Sequence, residues 1–289
     1  MKKAVLSAMV LCSLLSQAQK VSNKLQFQKG QKLEMQTTIK SQSQMMGQSI
    51  DINVNSTRLL NVQAVAGGNA TIENKIKHLQ FNVDAMGQNK TYDSDKEEDR
   101  TSEMGKGMEK GLKNTYTMTV DPYGKVTAVK AADDNPNNAK DSAAGQDMMS
   151  GMMEGLMEGF NLPKVGDETE FAILPAKEVS KGESWTDTAS ANQDTKRKAT
   201  YTVSNITGND IIVSYTEDVS TKTTKENMGM QVDIDKQDKN TGTITLNRKT
   251  GLLKQKTVST ETSGKASVMG QEVPLDSKST KTIVVTAAK

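Results

Sequence analysis

His78 is the only histidine in the sequence and Cys12 the only cysteine. A serine–histidine–aspartate hydrolase would have to draw on that one imidazole as its base. It stands among Lys75, Lys77 and Gln80, far from any Gly-x-Ser-x-Gly nucleophile elbow. The pattern fits a histidine exposed on a strand or lining a bulge. Zinc sites built from histidine and cysteine need three or four such donors, and these two residues cannot supply them. No resident metal or cofactor is expected.

The acids Asp93, Asp95, Glu97, Glu98 and Asp99 crowd into one short stretch. Paired carboxylates can serve a glycosidase as acid and base. Such clefts commonly add aromatic sugar platforms, and the chain has one tryptophan. A solvated helix N-terminus, where acids favour the dipole, is the better reading. Asp133-Asp134-Asn135 and Asp233, Asp235 and Asp238 offer oxygen donors for calcium, but neither group has the glycine and closing glutamate of an EF-hand loop. No catalytic constellation emerges, and an enzyme is not expected.

Methionine is the unusual chemistry, with 17 in the chain. Met148, Met149, Met152, Met153, Leu156, Met157 and Phe160 fall on one stripe of a helix expected over 141–160. Three readings compete. The stripe could be plain core packed on a sheet. Flexible thioethers also suit the lining of an apolar groove, and these seven residues are the candidates for one. Thioethers are soft ligands for Cu(I) as well, and Met-Met-x-x-Met-Met is the kind of tract that could hold it.

The elements that would carry these residues are mostly strands. Leu25 and Phe27, then Leu33, Met35, Thr37 and Ile39, alternate with polar residues, as do Ile50, Ile52, Val54, Leu60 and Val62. The return strand puts Ile72 and Ile76 on even positions but Leu79, Phe81 and Val83 on odd ones. That parity switch predicts a β-bulge near Lys77-His78. Met104, Met108 and Leu112 predict a short amphipathic helix within about 96–113, although Gly105, Gly107 and Gly111 weaken it. Asp121-Pro122-Tyr123-Gly124 predicts a tight turn with proline at its first central position. Strands follow over 198–204 and 211–219, a long pair over 230–246 and 252–268 turns at Asn247–Gly251, and a last strand runs near 277–286.

Two markers recur. Of five Met-Gly dipeptides, where about one is expected by chance, four open hairpins at Met46-Gly47, Met86-Gly87, Met228-Gly229 and Met269-Gly270. Lys181-Gly182-Glu183 echoes Lys29-Gly30-Gln31, as if each half began in the same way. The fold class is therefore mainly β, α+β. It consists of two related antiparallel lobes, residues 19–165 with the helices and 166–289, or of one curved half-barrel-like sheet. In either case both helices pack on an apolar face.

Composition narrows the setting. Met1-Lys2-Lys3, the apolar stretch Ala4–Leu15 and the small residues Ser16–Ala18 have the form of a signal peptide over 1–18, cleaved between Ala18 and Gln19. Leu11 stands before Cys12 where a lipoprotein signal wants a small residue, so lipid anchoring at Cys12 is not expected. Loss of Lys2 and Lys3 takes the net charge from +2 to zero, which argues against nucleic acid. No later apolar run approaches a membrane span.

The early alternating strands ending near Tyr92-Asp93-Ser94 carry a resemblance, together with Val120-Asp-Pro-Tyr-Gly-Lys-Val126, the Leu174-Pro…Val179…Gly182…Trp185 junction and Leu246-Asn-Arg-Lys-Thr-Gly251. They resemble an uncharacterised family of exported proteins found mainly in Bacteroidota, which carry a domain of unknown function. The resemblance implies a β-rich periplasmic or secreted protein and no activity. The sequence thus points to a non-enzymatic exported protein that binds an apolar small molecule or lipid beside the Met-rich helix. The alternatives are a structural or interaction protein of the cell envelope, with an envelope protein as partner, and Cu(I) binding through methionine.

Overall fold

The computed structural model describes residues 21, 23–45, 48–85, 87–113, 115–131, 162–188, 194–227, 230–268 and 270–288. In the first half the strands are β1 (Lys32–Met45), β2 (Gln48–Ala66), β3 (Asn69–Ala85) and β4 (Gln88–Asp93). Two helices follow, α1 (Glu97–Thr101) and α2 (Glu103–Lys113), and then β5 (Thr115–Val120) and β6 (Val126–Ala131). In the second half come β7 (Ser184–Asp187), β8 (Thr195–Ile206), β9 (Asp210–Asn227) and β10 (Met230–Asn247). The chain ends with β11 (Leu253–Val268), β12 (Gln271–Pro274) and β13 (Ser277–Ala287).

All 13 strands form one large open antiparallel sheet, in the order β6-β5-β3-β2-β1-β13-β11-β10-β9-β8-β7, with β4 on β3 and β12 on β11. The last strand β13 sits between β1 and β11 and joins the two halves through unbroken ladders. Of the five Met-Gly dipeptides, Met104-Gly105 lies in α2, and at the other four just two residues separate paired strand ends, with Met45 opposite Gln48, Ala85 opposite Gln88, Asn227 opposite Met230 and Val268 opposite Gln271.

The Lys-Gly marker identifies equivalent strands. Gly30 and Gly182 have φ of 80° and 85°, a left-handed conformation that glycine alone adopts without strain. The Gly30 amide donates to Val62 O of β2, and the Gly182 amide to Val203 O of β8, both at 2.8 Å. Each valine is followed by a bulge, at Gln63 against β3 and at Ser204 against β9. The correspondence continues to the hairpin tips. Asp121 Oδ1 accepts from the Tyr123 and Lys125 amides, and Asn247 Oδ1 from the Lys249 and Thr250 amides. A bulge follows each tip, at Thr127 and at Lys254.

Those two tips are six strands apart in the sheet, which in a flat sheet would separate them by about 29 Å. Yet the Leu25 amide donates to Pro122 O and the neighbouring Gln26 amide to Thr250 O, both at 2.8 Å. Adjacent amides reach carbonyls no more than about 10 Å apart, so the sheet is bent at this end. Leu25 and Phe27 alternate like a strand, as the sequence suggested, but they lie outside the ladders and plug this bend.

A second connection, 163–183, straps the inner face. It leaves β6 where Val126 accepts from Gly166, and returns to β8 at Gly182. At Gly124 (φ 93°) a Cβ would lie 2.7 Å from Ala172 Cα, so only glycine admits the strap there. Phe171, Ile173, Leu174 and Val179 then join Leu25, Phe27 and the inward residues of both halves in the main core. Phe27 meets Phe171 edge-on, with centroids 5.3 Å apart.

Candidate functional site

The inner face of the first half owes its character to alternation. Beyond a bulge at Lys77, where the sequence placed it, β3 turns Leu79, Phe81, Val83 and Ala85 inward. They sit opposite Ile50, Ile52, Val54 and Ser56 of β2. Phe81 stacks on Tyr92 of β4 at 5.5 Å. Over this surface lies α2, with Met108 buried and Met104 and Leu112 half-buried. The expected helix over 96–113 is broken at Ser102, whose Oγ accepts from the Gly105 amide at 3.0 Å and so caps α2. A Cβ on Gly105 would fall 2.1 Å from Asp99 O, so α1 and α2 abut at that break.

Three glycines cost α2 about 1 kcal/mol each against alanine, so its contacts with the sheet rather than its propensity hold it in place. Beneath it the Tyr92 hydroxyl is buried with no hydrogen-bond partner among the described residues. Burial, reinforced by the Asp99 charge, raises its pKa above the ordinary phenol value.

The inner face of the second half is built differently. Across β7, β8 and β9, Trp185 stacks on Tyr201 at 5.3 Å and Tyr201 meets Tyr215 at a tilt, at 5.1 Å. Beyond them Arg197 donates to both Glu217 and Asp187. Asn240 then donates to Glu217 at 2.6 Å, Thr260 to Asn240 at 2.6 Å, and Thr262 to Asp238 at 2.7 Å. Burial opposes the Arg197 charge, but hydrogen bonds to Glu217 and Asp187 win and raise its pKa. Burial pushes Tyr201 up to about 12, and burial with a hydrogen bond to Glu217 raises Tyr215 further.

At the seam the strap's Glu170 accepts from Lys281 at 2.8 Å and from Lys256 at 3.1 Å. Burial disfavours its carboxylate, but the two ammonium groups prevail and hold it at about 2. Each of these charges has a partner within the ladder. The ladder braces the sheet.

The third grouping was missed in the sequence. The bulge aims His78 across at the end of β4. Its Nε2 lies 3.1 Å from Asp93 Oδ1 and 3.7 Å from Asp95 Oδ2. Asp93 also accepts the Asp95 amide, which lowers its pKa against the opposing effect of burial, and His78 lowers it further. Among the described residues no serine hydrogen-bonds this imidazole as a triad would require, and Ser94 Oγ accepts from the Leu79 amide.

Met148, Met149, Met152, Met153, Leu156, Met157 and Phe160 lie outside the described residues, as do Asp133-Asp134-Asn135, Cys12 and the stretch 1–18. Asp233 and Asp235 line an open depression of about 570 Å³ with Lys222 and Lys265, and Asp238 belongs to the inner ladder. That depression and a second of about 320 Å³ near Lys198 and Lys239 are walled mainly by charged and hydroxyl side chains. Among the described residues no helix is long and apolar enough to cross a membrane.

The model of a family described as a family of unknown function (DUF6263) matches residues 67–253. No curated protein matches the chain. Among solved structures, one on lipid–protein interactions in lipovitellin is similar over 91% of this chain and 26% of its own, at 11% identity and a TM-score of 0.48. An outer membrane channel from Pseudomonas putida F1 is similar over 92% of this chain and 98% of its own, at 7% identity and a TM-score of 0.25. The beta domain of the Bordetella autotransporter BrkA is similar over 89% and 99%, at 8% identity and a TM-score of 0.21. Likenesses this distant carry no argument about function.

Proposed function

The chain belongs to the family of unknown function DUF6263, and from that premise, which supplies no activity, we propose that it is an exported, non-enzymatic protein that binds an apolar ligand with a polar end beneath α2. The bent sheet serves as a half-barrel-like trough and α2 as its lid. The observation that carries this reading is the Tyr92 hydroxyl, buried under the lid with no partner among the described residues. A buried hydroxyl without a partner costs about 1–3 kcal/mol, and a ligand's polar end would recover it. The lid suits the task. It is short and glycine-rich, and Met104 and Met108 can repack around different apolar shapes. Export rests on the signal-like stretch 1–18.

Native mass spectrometry of protein purified from its own envelope tests the reading. A co-purifying lipid or other apolar mass is expected, lost in Met108→Asp. An apo mass in the wild type, with no environment-sensitive dye bound and displaced beneath α2, would overturn it.

A further inference from the structure

We propose that His78, Asp93 and Asp95 form a binding site for one divalent transition-metal ion of the zinc class. The inference is independent of the ligand proposed under α2. It also departs from the sequence-based expectation of no metal, which weighed zinc only on histidine with cysteine.

The geometry supports it first. Donors held about 2.0–2.1 Å from a tetrahedral ion lie about 3.3 Å from one another. The imidazole Nε2 is 3.1 Å from one carboxylate oxygen and 3.7 Å from the other, and all three donor atoms lie within 4.8 Å of one another. The two His78 distances need shifts of only a few tenths of an ångström, and the two carboxylates an approach of at most about 1.5 Å, to close around an ion with a fourth position left to water.

The donors are also held from behind. Asp99 Oδ2 accepts the Asp93 amide at 2.8 Å, and Ser94 Oγ accepts the Leu79 amide at 2.9 Å, which fastens the bulged strand to the turn after β4. His78 and Asp93 are only about a quarter exposed or less, at 25% and 19%.

Charge points the same way. Among the described residues, Asp93 and Asp95 form ion pairs only with His78. The nearby Arg100 guanidinium is spent on the Ser94 and Asp95 carbonyls, at 3.0 and 3.1 Å. Two carboxylates therefore face one imidazole, and the Lys96 charge acts on Asp93 without an ion pair to it. Imidazole beside carboxylate suits zinc and its neighbours, while calcium and magnesium prefer oxygen alone. A bound ion would tie the bulge of β3 to the root of the α1–α2 insert.

The experiment is a Zn²⁺ titration of the full chain, stripped with chelator and set against a chromogenic competitor, for wild type, His78→Gln and Asp95→Asn. One ion per wild-type chain is expected, with at least a tenfold loss of affinity in each variant. X-ray absorption should show one imidazole nitrogen among oxygens. Asp95 is 75% exposed, so its variant should keep the wild-type circular dichroism and guard against misfolding. Equal affinity in His78→Gln, equal competition by Ca²⁺, or no wild-type binding below millimolar Zn²⁺ would each overturn the proposal.

Discussion

The two stretches of sheet share a Lys-Gly entry, a bulge after its valine and a capped tip, and then diverge toward their far ends. In the first, β3 is paired by β4 over residues 80–85 and by β5 over 70–75, and the chain between them leaves the sheet as α1 and α2. In the second, β9 is paired by β10 along its whole length. The inner faces differ accordingly. Under α2 lie Val54, Phe81, Val83 and Tyr92, while the corresponding surface of the second half carries Arg197, Glu217, Asp238 and Asn240. Where the chain detours into a helix it brings apolar cover, and the face beneath can be oily. Where the strand runs straight through, the side chains of the face pair with one another, because a half-buried polar group without a partner is costly.

The sharpest way to break this comparison is to remove one keystone from each face. Arg197→Met takes the guanidinium away from half-buried Glu217 and Asp187, and should cost about 3–5 kcal/mol. Phe81→Ala removes the ring stacked on Tyr92 and should cost a similar 3–5 kcal/mol. Urea unfolding gives the totals, and hydrogen exchange gives the location. Arg197→Met should speed exchange in β7–β9 and spare α2 and β4, and Phe81→Ala should do the reverse. If either variant loosens both regions alike, the faces are one cooperative unit and the contrast is only chemical.

Glu170 at the seam supplies the next effect. Its folded-state pKa, about 2, lies below the ordinary carboxylate value. The stabilisation it contributes is therefore present above about pH 4.5 and lost as pH falls toward 2. It amounts to at most about 3 kcal/mol, trimmed by partial exposure. Wild type should lose more stability than Glu170→Gln between pH 4.5 and 2, read as urea midpoints. Parallel curves would mean that the strap's ion pairs count for little.

A smaller effect should differ in sign between the regions. Tyr92→Phe removes a buried hydroxyl without a described partner, and should stabilise delipidated protein by about 1 kcal/mol. Tyr215→Phe gives up a hydrogen bond to Glu217 and should destabilise by about the same. Thermal melts of the two variants decide it. A loss in Tyr92→Phe would give that hydroxyl a partner and weaken the lid reading.

Much of this contrast could be read in the sequence, because local backbone chemistry writes it there. The parity switch at Lys77, the Asp121–Gly124 and Asn247–Gly251 turns and the 96–113 helix are all short-range signals. Ser102 was passed over, although a serine amid acids and before a methionine stripe is a capping signal. Leu25 and Phe27 misled, since a plug that buries alternate side chains alternates just as a strand does.

The His78 cluster needed one more step. Counting outward from a two-residue Met86-Gly87 turn sets Gln80 against Asp93 and hence His78 toward Asp95. The residues beside His78 in sequence, Lys75, Lys77 and Gln80, gave no hint of it. The polar ladder was not legible, because Arg197, Glu217 and Asn240 meet only once β8, β9 and β10 are in register.

The smallest expected effect tests the shared frame itself. Gly30 and Gly182 both hold positive φ, and a Cβ added to either meets nothing within 4 Å. An alanine there is penalised by backbone conformation alone, at about 1 kcal/mol. Packing differences between an oily face and a polar one cannot enter that penalty. Gly30→Ala and Gly182→Ala should therefore cost the same to within a few tenths of a kcal/mol, and the double variant should show the sum, since the two turns share no partners. Unequal costs, measured as urea midpoints at constant slope, would show that one turn carries load that its counterpart does not. The two halves would then differ from their first residues and not only beyond the bulges.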